Sequence, residues 1–434
     1  MIPRLMKMRF LLLLAACVAC SAQAGVKIQQ WIAPSGAKVL FVESHDLPIL
    51  DVNIDFAAGS IHAPADKAGV AGLTHGLLDA GAGDWSEDQI AERQVDLGAR
   101  IGGSVDDDRA SLTLRTLSSR IERDGALELL QTILTRPLFP EAVLARERAR
   151  SIAAIQEADT RPDHIAGKRF AAAIYPGHPY GVSASVESVG RIGRDDLVEY
   201  HQRFYTARRA VISIIGDVSR ADAEAIAQRL SGGLPAGRGD APLPAVTLPK
   251  AETVKLPHPA AQSHILVGMP AIRRGDPDFF PLLVGNYTLG GGGFVSRLMN
   301  EVREKRGLVY DVHSYFSPRK LEGPFQIGLQ TRRDQADAAL KVVNEVLAGF
   351  LRSGPTAAEL KAAKQNLADG LALRIDSNAK LLGYLAVIGF YDLPLSYLDD
   401  YPARVKAVTA AQVREAFARH VKAENLVTVV VAAD

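Results

Sequence analysis

Two residues in the second half of the chain form a pair suited to peptide chemistry. Arg303 and Tyr310 belong to a segment that reads LGGGGFVSRLMNEVREKRGLVY, from Leu289 to Tyr310. A guanidinium carries a permanent positive charge and several N–H donors, and a phenol adds one O–H donor. Together they suit a peptide carbonyl, or the oxyanion that develops when such a carbonyl is attacked.

The elements around this pair decide whether the two side chains meet. The glycine run Gly290–Gly293 precedes a predicted helix from about Val295 to Arg306, which Gly307 can cap, and a predicted strand follows. This order places Arg303 in the last helical turn and Tyr310 just inside the strand, where they could converge. A purely structural interpretation also fits, with Arg303 at the negative end of the helix dipole and Tyr310 packed at a strand edge.

Histidine spacing argues against a zinc site in this chain. A helix-borne zinc site needs two His on one helical turn and a carboxylate, with one position left for water. No two His lie three or four residues apart, so neither H-E-x-x-H nor H-x-x-E-H occurs. The ten are His45, His62, His75, His164, His178, His201, His258, His264, His313 and His420. The sequence therefore predicts no metal ligand.

Other chemistries find no support in the residues either. No G-x-S-x-G nucleophile motif occurs, and no Gly-Lys-Ser/Thr follows Gly290–Gly293, which argues against a phosphate-binding loop. Both cysteines, Cys17 and Cys20, precede Ala24, so a chain cleaved after Ala24 has neither a disulfide nor a thiol nucleophile. A formal charge of +1 gives no electrostatic reason to expect nucleic acid as a partner.

The first 24 residues predict export. Three basic residues precede an apolar run from Phe10 to Cys20, and Ala22–Ala24 fits an A-x-A cleavage signal. The run is too short to span a bilayer. The stretch Leu14–Cys17 also fits a bacterial lipobox, which would hold the protein at a membrane through a lipidated Cys17. We expect an exported, periplasmic protein, with lipidation as the alternative.

The elements that position the Arg/Tyr pair are repeated along the chain. Val189–Asp217 aligns without a gap with Val405–Ala433, at an offset of 216 residues. Each copy contains a helix with apolar residues at helical spacing and then a β-branched strand, Ala210–Ile215 or Leu426–Val431. A period this long indicates two related domains rather than a solenoid.

The two halves also begin alike. Lys38–Glu43 and Ile49–Ala57 are predicted as paired strands, followed by a helix from about Gly69. In the second half, a strand is predicted over Gln262–Met269 and a helix near Phe279. Neither half shows strict βαβ alternation, so we expect an α+β fold with a mainly antiparallel sheet in each half.

These patterns divide the chain into four parts. Residues 1–24 are the expected signal peptide, 25–230 the first domain and 260–434 the second domain. Residues 231–259 are rich in Pro and Gly and predict a semi-extended linker that would let the halves move.

The segment around Arg303 and Tyr310 closely resembles the second-domain motif of the M16 metallopeptidases, the insulinase, pitrilysin and processing-peptidase family. The family pattern L-G-G-G-x-x-S-R-L-x-x-E-V-R-E-K-R-G-L-x-Y is matched along nearly its whole length. The two similar halves, the linker and the stretch Tyr175–Gly181, YPGHPYG, extend the resemblance over the mature chain. It implies a clamshell around a peptide-holding chamber, in which Arg303 and Tyr310 bind substrate and stabilise the tetrahedral intermediate.

The chain departs from the family at the zinc site. Where the family's helix reads roughly G-L-A-H-x-x-E-H-M-L, the aligned segment reads GVAGLTHGLL. Gly72 and Gly76 replace the two His, and His75 replaces the general-base Glu. Ala153 and Ala154 fall where the third ligand, a Glu, and its neighbouring Glu belong. The resemblance therefore implies a lost zinc site, with His75 a hydrogen-bonded or partly exposed histidine rather than a ligand.

Some assemblies of the family pair a subunit that carries H-x-x-E-H with one that contributes only the Arg/Tyr half. The resemblance implies that this chain is of the second kind, holds no cofactor itself, and presents Arg303 and Tyr310 to zinc on the partner. Gly290–Gly293 would line the chamber, and peptide substrates would add as a strand to a sheet edge. Two alternatives stay open: an envelope scaffold or peptide-binding protein without a proteolytic role, and a peptidase with an unrecognised metal arrangement.

Overall fold

The structure is a computed structural model that describes residues 26–237 and 242–432. The expected signal peptide, residues 1–24, and the lipobox with Cys17 lie outside the described residues. In the two ranges that are described, no helix combines the length and the apolar character needed to cross a membrane.

The first half is built on a six-stranded sheet with the order β1-β2-β8-β3-β7-β6. Only β2 and β8 run parallel; the other neighbours are antiparallel. The central strands β3 and β8 are almost completely buried. In β3 apolar residues alternate with Asp51, Asn53 and Asp55, whose buried side chains are hydrogen-bonded. The strands are β1 (Gln29–Ile32), β2 (Lys38–Glu43), β3 (Ile49–Phe56), β6 (Arg100–Val105), β7 (Ala110–Leu117) and β8 (Ala210–Gly216), with a separate hairpin of β4 (Gly81–Ala82) and β5 (Trp85–Ser86).

Helices of the first half pack around this sheet, and one of them, Pro162–Ile174, packs on the sheet of the second half instead. Most of their apolar residues join the core that contains β3 and β8. They are α1 (Val70–Gly76), α2 (Glu87–Asp96), α3 (Arg120–Thr135), α4 (Glu141–Ala158), α5 (Pro162–Ile174), α6 (Val186–Gly190), α7 (Arg194–Phe204) and α8 (Arg220–Ser231).

The second half repeats this plan with a five-stranded sheet in the order β11-β12-β10-β13-β9. Here β13 and β9 run parallel and the other neighbours are antiparallel. The strands are β9 (Glu252–Leu256), β10 (Gln262–Ile272), β11 (Val309–Phe316), β12 (Gly323–Arg332) and β13 (Val427–Val431). The helices are α9 (Phe279–Asn286), α10 (Ala336–Ser353), α11 (Ala357–Asp369), α12 (Leu371–Arg374), α13 (Asn378–Phe390), α14 (Tyr397–Ala407) and α15 (Ala410–His420). The α+β fold with mainly antiparallel sheets is confirmed.

The repeat seen in the sequence reappears in the positions of the helices. Helices α5 and α13 begin at residues 162 and 378 and end at residues 174 and 390, so both ends differ by 216. Helices α7 and α15 begin at 194 and 410 and end at 204 and 420, with the same difference. The two halves therefore share one arrangement of elements.

Each half lends a helix to the other half's sheet. Helix α5 of the first half packs on β10 and β13, and α13 of the second half packs on β8 and β3. Phe170 and Ile174 on α5 are buried with Val427 and Val429 of β13. The halves consequently share hydrophobic core rather than meeting at a separable surface.

The predicted linker, residues 231–259, is wrong at its C-terminal end. Residues Glu252–Leu256 form β9, which pairs with β13 at the edge of the second sheet. Pro249 and Pro257 flank this strand without interrupting it, and proline is tolerated next to an edge strand. Because α5 and α13 also join the halves, the linker is not the only connection between them.

Candidate functional site

The segment that carries Arg303 is helical but shorter than predicted and of a different type. Residues 297–304 are helical, and Met299–Glu304 within them has π-helical hydrogen bonding. The predicted start at Val295 is wrong, because Gly293–Val295 forms a separate 3-10 turn. The C-terminal cap is confirmed: Gly307 has a positive φ of 62°, and its N–H donates to the Arg303 carbonyl at 2.7 Å.

Arg303 and Tyr310 come together as the sequence predicts. The guanidinium carbon of Arg303 lies 5.3 Å from the centre of the Tyr310 ring, and Tyr310 is 84% exposed. Phe294, in the 3-10 turn, also contacts this guanidinium: its ring centre lies 4.7 Å from the guanidinium carbon, and the residue is 66% exposed. The guanidinium of Arg303 is thus held beside two exposed aromatic rings, with 26% of its own side chain exposed.

Phe294 is a member of this group that the sequence analysis missed. It follows the glycine run, where an apolar residue would ordinarily be assigned to the core. Arg303 also lies 3.5 Å from a carboxylate oxygen of Glu304, a contact between a partly buried guanidinium and an exposed carboxylate.

Tyr310 lies at a cleft of about 530 Å³ between the two halves. The second sheet supplies one side through β10, β11 and β12, and Asp163 and Ala166 of α5 supply the other. Within the cleft, the His313 Nδ1 and an Asp311 carboxylate oxygen are 2.8 Å apart. The cleft thus combines apolar floor, hydrogen-bonding groups and the Tyr310 phenol, which is the composition expected of a ligand site.

Of the four glycines expected to line the chamber, none lines this cleft. Gly290 is buried, and a Cβ on it would lie 2.4 Å from the Ser314 hydroxyl. Cβ atoms on Gly291 and Gly292 would lie 2.7 and 2.6 Å from atoms of the preceding helical turn. The expected substrate-lining role is therefore corrected for Gly290, whose small size lets the helix end pack against β11. Gly293, with φ of 60°, is exposed and open.

The zinc-site positions keep the helix but hold no ligand atoms. Gly72 and Gly76 both lie on the exposed side of α1, and a Cβ on either would meet nothing within 4 Å. Ala153 and Ala154 are exposed on α4. Glycine and alanine side chains offer no donor to a metal, so these residues do not fit the zinc ion that the family resemblance would place here.

His75 has a structural role in this helix. Its Nε2–H donates to the Ser111 carbonyl of β7 at 2.9 Å, and the ring lies against the backbone of Gly103 on β6. Burial lowers the pKa of His75, opposed by the Ser111 hydrogen bond, so the neutral form is favoured. This agrees with the expected hydrogen-bonded histidine.

One group of possible ligands was missed from the sequence because its members are far apart along the chain. Asp276, Asp278 and His420 place oxygen and nitrogen atoms within 4.8 Å of one another. Arg419 already binds both oxygens of Asp278 at 2.8 Å, and the His420 Nδ1–H donates to the Ala271 carbonyl at 2.7 Å. Within this cluster, Asp278 is therefore already paired with a positive charge of its own chain, the Arg419 guanidinium.

Two segments of this chain each match one part of the same protein family. "Insulinase (Peptidase family M16)" matches residues 38–185, and "Peptidase M16 inactive domain" matches residues 191–367. Together with the two-domain fold, these matches show that the chain belongs to the M16 family.

Several proteins of known name are similar to this chain over most of its length. The crystal structure of a peptidase M16 inactive domain from Pseudomonas fluorescens is 38% identical with a TM-score of 0.90, covering 94% of this chain and 98% of that one. The non-peptidase homolog YmxG of Helicobacter pylori is 23% identical over 432 residues, 98% of each protein. The uncharacterized zinc protease YmxG of Bacillus subtilis is 24% identical over 359 residues, 82% of this chain and 86% of the relative. Since these names include both proteases and a non-peptidase, the residues at the zinc positions distinguish this chain as a member without ligands there.

Proposed function

We propose that this protein is the non-catalytic subunit of a heteromeric zinc peptidase, and that it supplies Arg303 and Tyr310 to peptide hydrolysis at a partner's zinc site. The partner would be an M16 subunit that carries H-x-x-E-H. The observation that carries the proposal is the contact of Arg303 with Tyr310, a residue that lines the inter-half cleft, in a chain whose own zinc positions are Gly72 and Gly76.

The proposed contribution of this chain is electrostatic. The partner would supply the metal and the attacking water. Arg303 and Tyr310 would donate hydrogen bonds to the scissile carbonyl oxygen, and these bonds strengthen as that oxygen becomes negative. The contacts of Arg303 with Phe294 and Tyr310 hold the guanidinium in place before substrate arrives, which reduces the entropy lost on binding.

Substrate recognition is proposed to use sheet edges. Strand β6 ends the first sheet and β11 ends the second, so within residues 26–237 and 242–432 each has backbone N–H and C=O groups on one side that pair with no other strand. An extended peptide can pair with such an edge through main-chain hydrogen bonds that do not depend on its side chains. Four of the six residues of β6 are exposed, and a Cβ on Gly102 would lie no closer than 3.7 Å to another atom, which leaves room for a peptide backbone.

The place of action is proposed to be the periplasm. This rests on the signal-peptide pattern of residues 1–24 and on the cleavage signal Ala22–Ala24. Lipidation at Cys17 is the alternative form, in which the same protein would be held at a membrane surface.

The test is reconstitution with an H-x-x-E-H subunit that co-purifies with the exported protein. The pair should cleave peptides, and Arg303→Ala should lower kcat/KM by about 100-fold, the loss typical of an oxyanion donor. Tyr310→Phe should lower it by about tenfold, since one O–H donor is removed while the ring stays. Arg306→Ala is the matched control, because Arg306 lies nearby but pairs with Glu301, and it should leave activity unchanged.

Assembly must be measured beside activity. Size-exclusion chromatography should show the Arg303→Ala complex intact, so that a loss of rate cannot be attributed to dissociation. Full activity in both variants would refute the proposed role. Failure to co-purify any peptidase would instead favour the scaffold alternative. The Helicobacter pylori relative, named a non-peptidase homolog, supports this alternative.

A further inference from the structure

A second cavity in the C-terminal half shares no lining residue with the cleft beside Tyr310. Its volume is about 270 Å³, just below the range of pockets for drug-sized ligands. Its walls come from the loop after β10, the start of α9, the loop after α13 and one face of α14. The residues that matter here are Arg274, Phe279, Phe280, Leu393, Tyr397 and Arg404.

The cavity is lined by two arginines that lack acidic partners. Among the described residues, neither Arg274 nor Arg404 forms an ion pair, and each instead lies over an aromatic ring, Tyr391 at 5.5 Å and Phe280 at 5.4 Å. The Nε of Arg274 is buried and has no hydrogen-bond acceptor in the described part of the chain. Buried donors are nearly always paired, so the guanidinium of Arg274, which lines the cavity, receives fewer acceptors from its own chain than it could use.

The acidic residue at the rim does not supply that acceptor. Asp276 also lines the cavity, but its Oδ1 accepts the backbone N–H of Asp278 at 2.9 Å. The same oxygen lies 3.8 Å from His420, and among the described residues Asp276 forms no ion pair with either arginine. The lining therefore contains two arginines and one carboxylate that is not paired with them.

A third donor and an apolar wall complete the lining. Burial raises the pKa of Tyr397 to about 12, while Arg274 and Arg404 act in the opposite direction, so the phenol keeps its proton at neutral pH and can donate. Phe279 and Phe280 also line the cavity and provide aromatic surface, with the Phe280 ring centre 6.1 Å from that of Tyr397.

The loops that form the cavity are held in place. The Arg274 N–H donates to the Arg319 carbonyl at 2.7 Å, and Gly275 makes the turn with φ of 79°. The Leu393 N–H donates to the Ile388 carbonyl at 2.9 Å, which fixes the loop after α13. A site formed in advance loses less entropy when a ligand binds.

We propose that this cavity binds an organic carboxylate attached to an apolar or aromatic group. The carboxylate accepts from the guanidinium groups of Arg274 and Arg404 and from the Tyr397 hydroxyl, and the apolar group packs on Phe279 and Phe280. Two sources carry this chemistry, a free aromatic acid and the C-terminal residue of a peptide. The site is independent of the proposed role of Arg303 and Tyr310.

Isothermal titration of the full chain with N-acetyl-phenylalanine tests the proposal. For a ligand of this size we expect a Kd of about 1 mM. The corresponding amide, which lacks the negative charge, should bind at least about tenfold more weakly. A peptide ending in Phe with a free carboxylate, compared with its amidated form, then distinguishes the two sources. Binding of the peptide acid identifies a peptide C-terminus, and binding of the small acid alone identifies a free acid.

Variants assign the binding to this cavity. Arg274→Gln and Arg404→Gln should each weaken binding of the acid at least about tenfold. Arg404 is exposed, so its variant keeps the test valid if Arg274→Gln fails to fold. Arg273→Gln is the matched control, since Arg273 is exposed, adjacent and outside the lining. Equal binding of acid and amide, no binding at about 10 mM acid, or an Arg404→Gln variant that binds normally would overturn the proposal.

Discussion

At the scale of single residues, the first half has lost metal-binding atoms without losing the space for them. Gly72 and Gly76 lie four residues apart on one exposed side of α1, the spacing at which two side chains can reach one ion. His75 between them has turned to a structural hydrogen bond with Ser111. Helix α1 therefore keeps two positions from which side chains could reach one metal ion, but the residues at those positions offer no ligand atom.

Restoring the ligands should restore metal binding. In a variant with Gly72→His, Gly76→His, Ala153→Glu and Ala154→Glu, the new side chains on α1 meet no atom near the backbone. We expect one zinc ion per chain, measured by metal analysis after dialysis. Each His should also favour the helix by roughly 0.3–0.5 kcal/mol relative to Gly.

The control for this variant is Gly72→His alone. A single imidazole offers one ligand, so it should lose zinc to a mild chelator that the fourfold variant resists. If the two proteins retained equal amounts of zinc, the positions of α1 and α4 would not form a site, and the correspondence with the family's zinc helix would be wrong.

At the scale of elements, the two halves are joined by the exchange of α5 and α13. Helix α13 approaches the first sheet closely at Gly389, where a Cβ would lie 2.6 Å from side-chain atoms of Leu40 and Val211. Gly383, six residues earlier in the same helix, is exposed, and a Cβ there would meet nothing within 4 Å. Within α13, therefore, Gly389 has no room for a side chain, whereas Gly383 has room for one.

Alanine at these two positions should change stability in opposite directions. Gly389→Ala overfills the contact with the first sheet and should lower the free energy of unfolding by about 1–3 kcal/mol. Gly383→Ala favours the helix and should raise it by about 0.5–1 kcal/mol. Denaturant unfolding followed by circular dichroism measures both. Shifts of the same sign would mean that α13 does not pack on the first sheet through Gly389.

Sequence patterns predicted these elements better than their contacts. The strands β2, β3 and β8 and the helix after Gly69 follow from apolar spacing and glycine position. The predicted pairing of β2 with β3 is wrong, because β8 lies between them, and β9 was predicted as linker. Spacing shows that α5 has a buried face but not that the second sheet buries it. The π-helical turns at Tyr287–Gly291 and Met299–Glu304 were missed because their hydrogen bonds span only one residue more than those of an α-helix, so the sequence patterns are nearly the same.

The candidate site shows the same division. The meeting of Arg303 and Tyr310 was predictable because both lie within one helix-turn-strand unit, and Gly307 announces the turn. The cleft beside them was not, since Asp163 reaches it from the other half of the chain. Contacts within one unit follow from local spacing, whereas contacts between halves depend on how the sheets face each other.

At the scale of the whole molecule, a buried carboxylate joins the two halves. Asp108, in the loop between β6 and β7, is 3% exposed. It accepts hydrogen bonds from the Tyr391 hydroxyl at 2.8 Å, from the Lys320 N–H at 2.8 Å, and from the Tyr180 hydroxyl. Two of these donors belong to the second half, so the loop is a polar counterpart to the exchanged helices.

Removing this carboxylate should destabilise the molecule as a unit. Asp108→Ala leaves two phenols and a backbone N–H without their acceptor, which should cost about 3–5 kcal/mol. Asp108→Asn keeps one acceptor oxygen and should cost less. Asp337→Ala is the control, because the Asp337 side chain is 85% exposed and its ion pair with Lys255 contributes at most about 1 kcal/mol.

The form of the unfolding transition distinguishes two pictures of the assembly. Because α5 and α13 still place core residues of each half in the other, calorimetry of Asp108→Ala should give one transition at a lower temperature. Two resolved transitions, one near the wild-type midpoint, would mean that each half folds by itself and that the polar loop alone holds them together. A single lowered transition would mean that the cleft beside Tyr310 exists only when both halves are folded, since α5 forms one of its walls.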